Sequence, residues 1–125
     1  MDTRSKILTL AAAAEIPVRP LAMVSGTFDI LRAEHARELQ QVRDRTSARA
    51  LIAVVLPRAG ELLSQRARAE LVAALRAVDY VVVASAAELD GLIRLLRPAL
   101  VIHMEEADER RLQELWDHVR TRFTV

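Results

Sequence analysis

The stretch Ser25-Gly26-Thr27-Phe28-Asp29-Ile30-Leu31-Arg32-Ala33-Glu34-His35 decides how the rest of the chain reads. It follows the short apolar run Leu21 to Ser25, which has the composition of a buried strand closing at Gly26. Ala36, Leu39 and Val42 then repeat at helical spacing, predicting a helix that starts near Ala33. A strand, a glycine and a helix start within a dozen residues make a βα junction. Gly26 permits a tight turn or a close approach at that point. The free N–H groups of the helix start would attract an anion. Each residue also has a purely structural explanation: Gly26 as a turn, Phe28 as core, and Asp29 as an acceptor for loop or helix-start N–H groups.

Outward from this junction, apolar spacing alternates between two periods. Upstream, Ile7, Leu8, Leu10, Ala11 and Ala14 predict one face of an N-terminal helix within residues 1–16, ended by Pro17 and Pro20. Downstream, Leu51-Ile52-Ala53-Val54-Val55-Leu56 is a continuous apolar run stopped by Pro57, as in a strand buried on both faces. Ser64 is placed to cap a helix with Ala67, Leu71, Val72 and Leu75 as its inner face. Tyr80-Val81-Val82-Val83 reads as a strand and Leu89, Leu92, Ile93 and Leu96 as a helix halted before Pro98. Ala99 to His103 reads as a fourth strand, and Leu112, Leu115, Trp116 and Val119 as the inner stripe of a last helix.

Strands alternating with helices indicate βαβ units and a parallel sheet. The expected architecture is a single α/β domain over residues 1–125, with the α/β core over 21–125. It is a three-layer α/β/α sandwich, Rossmann-like, with about four parallel strands in the order 2-1-3-4. In such sheets ligands bind outside the carboxyl ends of the strands, where the strand order reverses. Residues 27–35 would line that crevice.

Composition narrows the function classes. The 125 residues include 18 basic and 17 acidic ones, giving a formal net charge of +1 with the signs interleaved. Interleaved charge argues against nucleic acid and against an anionic membrane surface as partners. No apolar run approaches the roughly 18 residues of a membrane span, and the first residues lack the pattern of a signal peptide. The absence of cysteine excludes disulfides and thiolate metal sites and fits a reducing cytoplasm, the expected location.

The junction resembles the signature of the cytidylyltransferase-like nucleotidyltransferases, G-x-F-D-x-x-H-x-G-H. The resemblance extends along the chain. Lys6-Ile7-Leu8-Thr9-Leu10 is similar to the opening helix of the domain that adenylylates heptose 1-phosphate. The segment from Arg68 to Val82 and the run Leu92-Ile93-Arg94-Leu95-Leu96-Arg97-Pro98 resemble later parts of the same domain. What this resemblance implies is in-line attack by a phosphorylated substrate on the α-phosphate of ATP or CTP, usually assisted by Mg²⁺, with no metal held by the protein alone. Such transfer depends on positioning and charge compensation. Carried over position by position, His35 matches the second histidine of the motif and Arg32 stands at the first, so these two are the candidate catalytic groups. Gly26, Thr27, Phe28 and Asp29 would form the nucleotide cradle, with Arg68 and His103 as further nucleotide contacts.

The departures from the family pattern are equally specific. Glu34 replaces the motif glycine, so a Cβ and a carboxylate stand where phosphate would approach. A carboxylate roughly 5 Å from a phosphate charge costs about 3 kcal/mol at an effective dielectric near 20. His103, Met104 and Glu105 fall where the family carries a lysine and flexible glycines, and its later Ser/Thr-rich motif does not follow before Val125. The expectation is a nucleotidyltransferase-like protein with reduced or lost activity. The alternative is a non-catalytic nucleotide- or anion-binding module of the same fold. The resemblance is also compatible with a homodimer. His118 is expected on an exposed polar face, and the acids at 105, 106, 108 and 109 are expected to complement the start of the last helix.

Overall fold

A computed structural model describes residues 2–29 and 33–123. After a 3-10 turn at Thr3–Lys6, the elements are β1 (Ile7–Leu8), α1 (Leu10–Ala13), β2 (Leu21–Gly26), α2 (Ala33–Thr46), β3 (Ala50–Val55), α3 (Gln65–Ala73), β4 (Tyr80–Val83), α4 (Ala86–Leu96), β5 (Leu100–His103) and α5 (Glu105–Phe123). All strand pairs are parallel, in one five-stranded sheet of order β1-β4-β3-β2-β5. The expected parallel α/β class holds.

Strand number and order differ from the sequence expectation. The four anticipated strands are β2, β3, β4 and β5, and they lie in the order third, second, first, fourth. A short fifth strand, β1, adds to the far edge and pairs Ile7 with Val81 and Leu8 with Val82. The expected N-terminal helix is therefore mostly absent. Only Leu10–Ala13 is α-helical, with the Thr9 side chain accepting from Ala12 N at its start. Lys6 fixes this segment: its Nζ donates to the carbonyls of Val78 (2.8 Å) and Leu75 (3.2 Å) beyond the end of α3. Free carbonyls after a helix attract a cation, and this anchor sets Ile7-Leu8 alongside β4.

Side chains alternate across the sheet. Ala22 and Val24 of β2 join Leu51, Ala53 and Val55 of β3 in a core shared with Leu39 and Val42 of α2 and Ala69, Val72 and Ala73 of α3. Leu21 and Met23 join Ile52, Val54 and Val82 in a second core, under Ala13 of α1 and Leu89, Leu92 and Leu96 of α4. Two apolar layers with helices outside each form the three-layer sandwich. Every residue of β2 and β3 is buried, as the continuous apolar run 51–56 predicts.

Two helix faces differ from their expected phase. In α3 the buried residues are Arg68, Ala69, Val72 and Ala73, while Leu71 is 45% exposed. The helix is rotated by about one residue because the Arg68 guanidinium is drawn inward to carbonyl oxygens. Trp116, expected to pack, is 48% exposed on α5. No helix among the described residues is long and apolar enough to cross a membrane.

The order reverses at β2: the chain moves outward through β3 and β4, then returns to β5 on the other side of β2. This places the crevice at the carboxyl ends of β2 and β5, not between the first and third anticipated strands.

Candidate functional site

The site is built where β2 ends. Gly26 closes the strand, and a Cβ there would lie 2.8 Å from Asp108 Oδ2 and 3.0 Å from the Phe28 ring. Glycine is required because a carboxylate and a ring already occupy that space. Phe28 adopts φ +51°, a left-handed conformation that bulky residues avoid. Its fully buried ring offsets that strain by packing into the core beside His35, with ring centroids 6.0 Å apart.

His35 faces inward from the first turn of α2. Its Nε2 lies 2.8 Å from Asp108 Oδ1, and the two side chains are only 2% and 5% exposed. The Phe28 N–H makes a longer bond, 3.4 Å, to the other oxygen of the same carboxylate. A histidine and a backbone N–H from the βα junction thus converge on an acid from α5. Glu34 next to it is on the exposed side of α2. The other candidate catalytic residue, Arg32, lies outside the described residues.

Asp29 is buried and holds the segment after β3. Its carboxylate accepts from Leu62 N at 3.1 Å and Leu63 N at 3.2 Å, and lies 3.5 Å from Arg58 Nη1. Arg58 also forms a two-point fork with Glu109 of α5, Nε to Oε2 at 2.9 Å and Nη2 to Oε1 at 3.0 Å. That fork raises the Arg58 pKa above its ordinary value and lowers that of Glu109.

Arg68 is completely buried. Nη1 donates to the carbonyls of Thr27 (2.5 Å) and Leu56 (2.8 Å), Nε to that of Leu63 (3.2 Å), and Nη2 to Glu61 Oε2 (2.6 Å). It ties the ends of β2 and β3 to the loop between β3 and α3. Thr27 enters this network through its carbonyl.

On the other face of the sheet, His103 borders a cleft of about 430 Å³ with Leu56, Ala86, Leu89, Asp90, Glu105 and Glu106. Ser25 Oγ donates to Glu105 Oε2 and lies 2.8 Å from His103 Nδ1. With the serine proton committed to the carboxylate, His103 Nδ1 is the donor to Ser25 Oγ. This lining is rich in acceptors and holds no arginine or lysine among the described residues, a poor match for phosphate. Met104 is buried in the core and its N–H donates to Ser25 O at 2.7 Å. Among the described residues, no group of three or more His, Cys, Asp or Glu side chains is placed to hold a metal ion.

Comparison with known proteins shows the lineage. The Cytidylyltransferase-like family model matches residues 23–123, most of the chain. The chain belongs to the cytidylyltransferase-like family. Among solved structures, the lipopolysaccharide core biosynthesis protein of Thermoplasma volcanium GSS1 is similar, with 19% identity and a TM-score of 0.57. The likeness covers 65% of this chain and 70% of that one, and it shows a shared fold. Comparison with curated protein sequences gives no match.

Within this cytidylyltransferase-like frame, the structure brings Gly26, Phe28 and His35 together around Asp108. It sets Asp29 and Arg68 as anchors of the β3–α3 loop, and places His103 in the cleft on the opposite face. Participants not singled out from sequence include Asp108, Arg58, Ser25 and Glu61. Asp108 reads as one of several acids at a helix start, and nothing in its spacing pairs it with His35. Arg58 directly follows the strand-ending Pro57, the one signal that puts it at the carboxyl edge of the sheet.

Proposed function

We propose that this chain is a nucleotidyltransferase-like protein in which transfer of AMP or CMP to a sugar phosphate is reduced or lost. The observation that carries this reading is the bond between His35 Nε2 and Asp108 Oδ1. Nucleotidyl transfer puts developing negative charge on phosphate oxygens, and the protein's part is to supply donors and cations there. Here the histidine at the motif position already donates to a carboxylate of the same chain. The next cation along the crevice, Arg58, is likewise engaged by Glu109.

A triphosphate entering this crevice would displace both acids or face them. Two unit charges 5 Å apart repel by about 3 kcal/mol at an effective dielectric of 20, roughly a hundredfold in affinity per pair. The residues present therefore fit Mg²⁺ with ATP or CTP poorly. What they do is structural. Asp29, Arg68 and Arg58 hold the β3–α3 loop against the junction, and Gly26 and Phe28 hold the α5 carboxylate.

A second reading, a non-catalytic module that takes a small ligand without an anionic group, is favoured by the acceptor-rich cleft beside His103. Its volume lies within the usual range of about 300–1,000 Å³ for small-molecule sites. A pyrophosphate-release assay across ATP and CTP with a panel of sugar phosphates tests the proposal. Background-level release is expected, and robust turnover abolished by His35→Ala would overturn it.

A further inference from the structure

Charges that interleave along the sequence are sorted by the fold. All strand pairs are parallel, so the connections that lead into strands gather at one edge of the sheet. Arg19, Arg49 and Arg97 stand in the connections just before β2, β3 and β5, adjacent strands whose axes lie about 4.8 Å apart. Their backbones are tied side by side: Arg49 N donates to Pro20 O at 2.9 Å, and Ala99 N to Leu21 O at 2.8 Å. Arg45 and Arg94, in the last turns of α2 and α4, and Arg76, between α3 and β4, come to the same edge. We propose that this arginine edge docks on an anionic lipid surface, with Leu95 as its apolar contact. The inference is independent of the nucleotide reading, whose crevice opens at the opposite edge.

The arginines are available to a partner. All six are exposed, and among the described residues none of them forms an ion pair with a carboxylate. Arg19 Nη1 donates to the carbonyls of Ile16 (2.9 Å) and Val18 (2.7 Å), which holds its head at this edge and leaves Nε and Nη2 unengaged. Acids of the same edge are fewer: Asp79 is taken up by Arg43 at 2.7 Å, and Glu15 and Asp44 remain. The acidic helix starts, with Glu88, Glu105, Glu106 and Asp108, lie beyond the six-residue strands β2 and β3. That distance of about 20 Å is roughly twice the Debye length at moderate salt, so those acids do not cancel the arginine field. Helix ends favour the cations Arg45 and Arg94, but Arg19 and Arg49 lie in no helix.

Leu95 favours lipid over other polyanions. It is 68% exposed, more than any other large apolar side chain among the described residues, and it sits between Arg94 and Arg97. Guanidinium groups at the level of lipid phosphates, with a leucine entering the interface, make a surface-bound segment. Along a nucleic-acid backbone the leucine would have no partner.

Co-sedimentation of the full chain with lipid vesicles at low ionic strength tests this. Partition onto equimolar phosphatidylserine–phosphatidylcholine vesicles should exceed that onto phosphatidylcholine alone by roughly tenfold or more, and high salt should abolish the difference. Each arginine near an anionic leaflet contributes roughly fivefold in partition, so R49E/R94E should lose roughly tenfold or more. Arg37→Glu with Arg66→Glu makes the same change in net charge on exposed residues away from this edge, and should leave binding within about twofold. Leu95→Ser should weaken binding several-fold, whereas Leu71→Ser, at another exposed leucine, should not. Equal partition onto the two vesicles would overturn the proposal, as would equal losses from R49E/R94E and R37E/R66E. Binding of a single-stranded oligonucleotide but of neither vesicle would assign the edge to nucleic acid and overturn it too. Should charge reversal disturb the fold in thermal melts, Arg49→Gln with Arg94→Gln must still lower anionic-vesicle binding several-fold, and unchanged binding overturns the proposal.

Discussion

Asp108 Oδ1 lies 2.8 Å from His35 Nε2, and both side chains are almost wholly withdrawn from water. The pair joins the first turn of α5 to the first turn of α2 across the carboxyl end of β2. Removing one partner takes from the other its short bond in a dry site, which typically costs about 3 kcal/mol. His35→Ala and Asp108→Ala should each destabilise the fold by roughly that amount in urea unfolding. The double variant should lose clearly less than the sum, because the second deletion no longer breaks the bond between the two. Strict additivity would show that the two side chains do not interact.

Gly26→Ala tests the crowding at the end of β2. Its Cβ would sit 2.8 Å from Asp108 Oδ2, so either the carboxylate or the strand end must shift. A loss of about 1–3 kcal/mol is expected, measurable by thermal or urea melts. In an Asp108→Ala background the same substitution should cost noticeably less, since the nearest obstacle is gone.

Arg68 is the buried tie between β2, β3 and the loop that follows β3. Arg68→Met keeps much of the volume but leaves the carbonyls of Thr27, Leu56 and Leu63 without their donor. A destabilisation of about 3 kcal/mol or more is expected, because each unpaired buried acceptor costs about 1–3 kcal/mol. Hydrogen exchange should rise first across residues 56–64. Arg68→Lys should restore only part of the loss, since one ammonium cannot reproduce the guanidinium fork.

The pairing of Arg58 with Glu109 makes stability depend on pH in a defined direction. The hydrogen bond from Arg58 lowers the Glu109 pKa from its ordinary 4.5. A carboxylate with a depressed folded-state pKa contributes stability above its unfolded value, and that contribution disappears as pH falls through the folded value. With Glu109 more than half exposed, the amount should not exceed about 1 kcal/mol. Glu109→Gln should therefore destabilise slightly at pH 7, and the difference from the unaltered chain should shrink as pH falls below the ordinary 4.5 and vanish once it has passed the lowered folded-state value. A difference that grows on acidification would contradict the assignment.

Most of the layered architecture was legible in the sequence, and the reasons are local. The unbroken apolar run 51–56 could only be a strand buried on both faces, and Ser64 caps α3 as expected, accepting from Ala67 N at 3.1 Å. β1 was not legible because two residues carry no period. Its neighbours Leu10, Ala11 and Ala14 supplied a helical one, and the strand rests on long-range contacts, its pairing with β4 and the reach of Lys6 to the end of α3. Strand order was not legible either, since a crossover helix fits several orders equally well. The rotated face of α3 reflects an arginine that is buried because three carbonyls await it, a demand set by tertiary structure. In the crevice, Gly26, Phe28 and His35 were named from sequence, and the structure brings them together around Asp108. Asp108 itself was not named, for it is 73 residues beyond His35 and hidden in an acidic helix start.

Arg32 and Glu34 on one side, and the acids that fill the crevice on the other, oppose triphosphate separately. Restoring Arg32→His and Glu34→Gly should leave triphosphate affinity weak while Asp108 and Glu109 remain. Adding D108N/E109Q to those changes should raise it further, by at least tenfold in calorimetry.

Titration of the unaltered chain with ATP or CTP in the presence of Mg²⁺, followed by calorimetry, tests the central claim most directly. With His35 held by Asp108 and Arg58 by Glu109, no saturable heat is expected at millimolar nucleotide. Micromolar, saturable binding that disappears in His35→Ala would contradict the account.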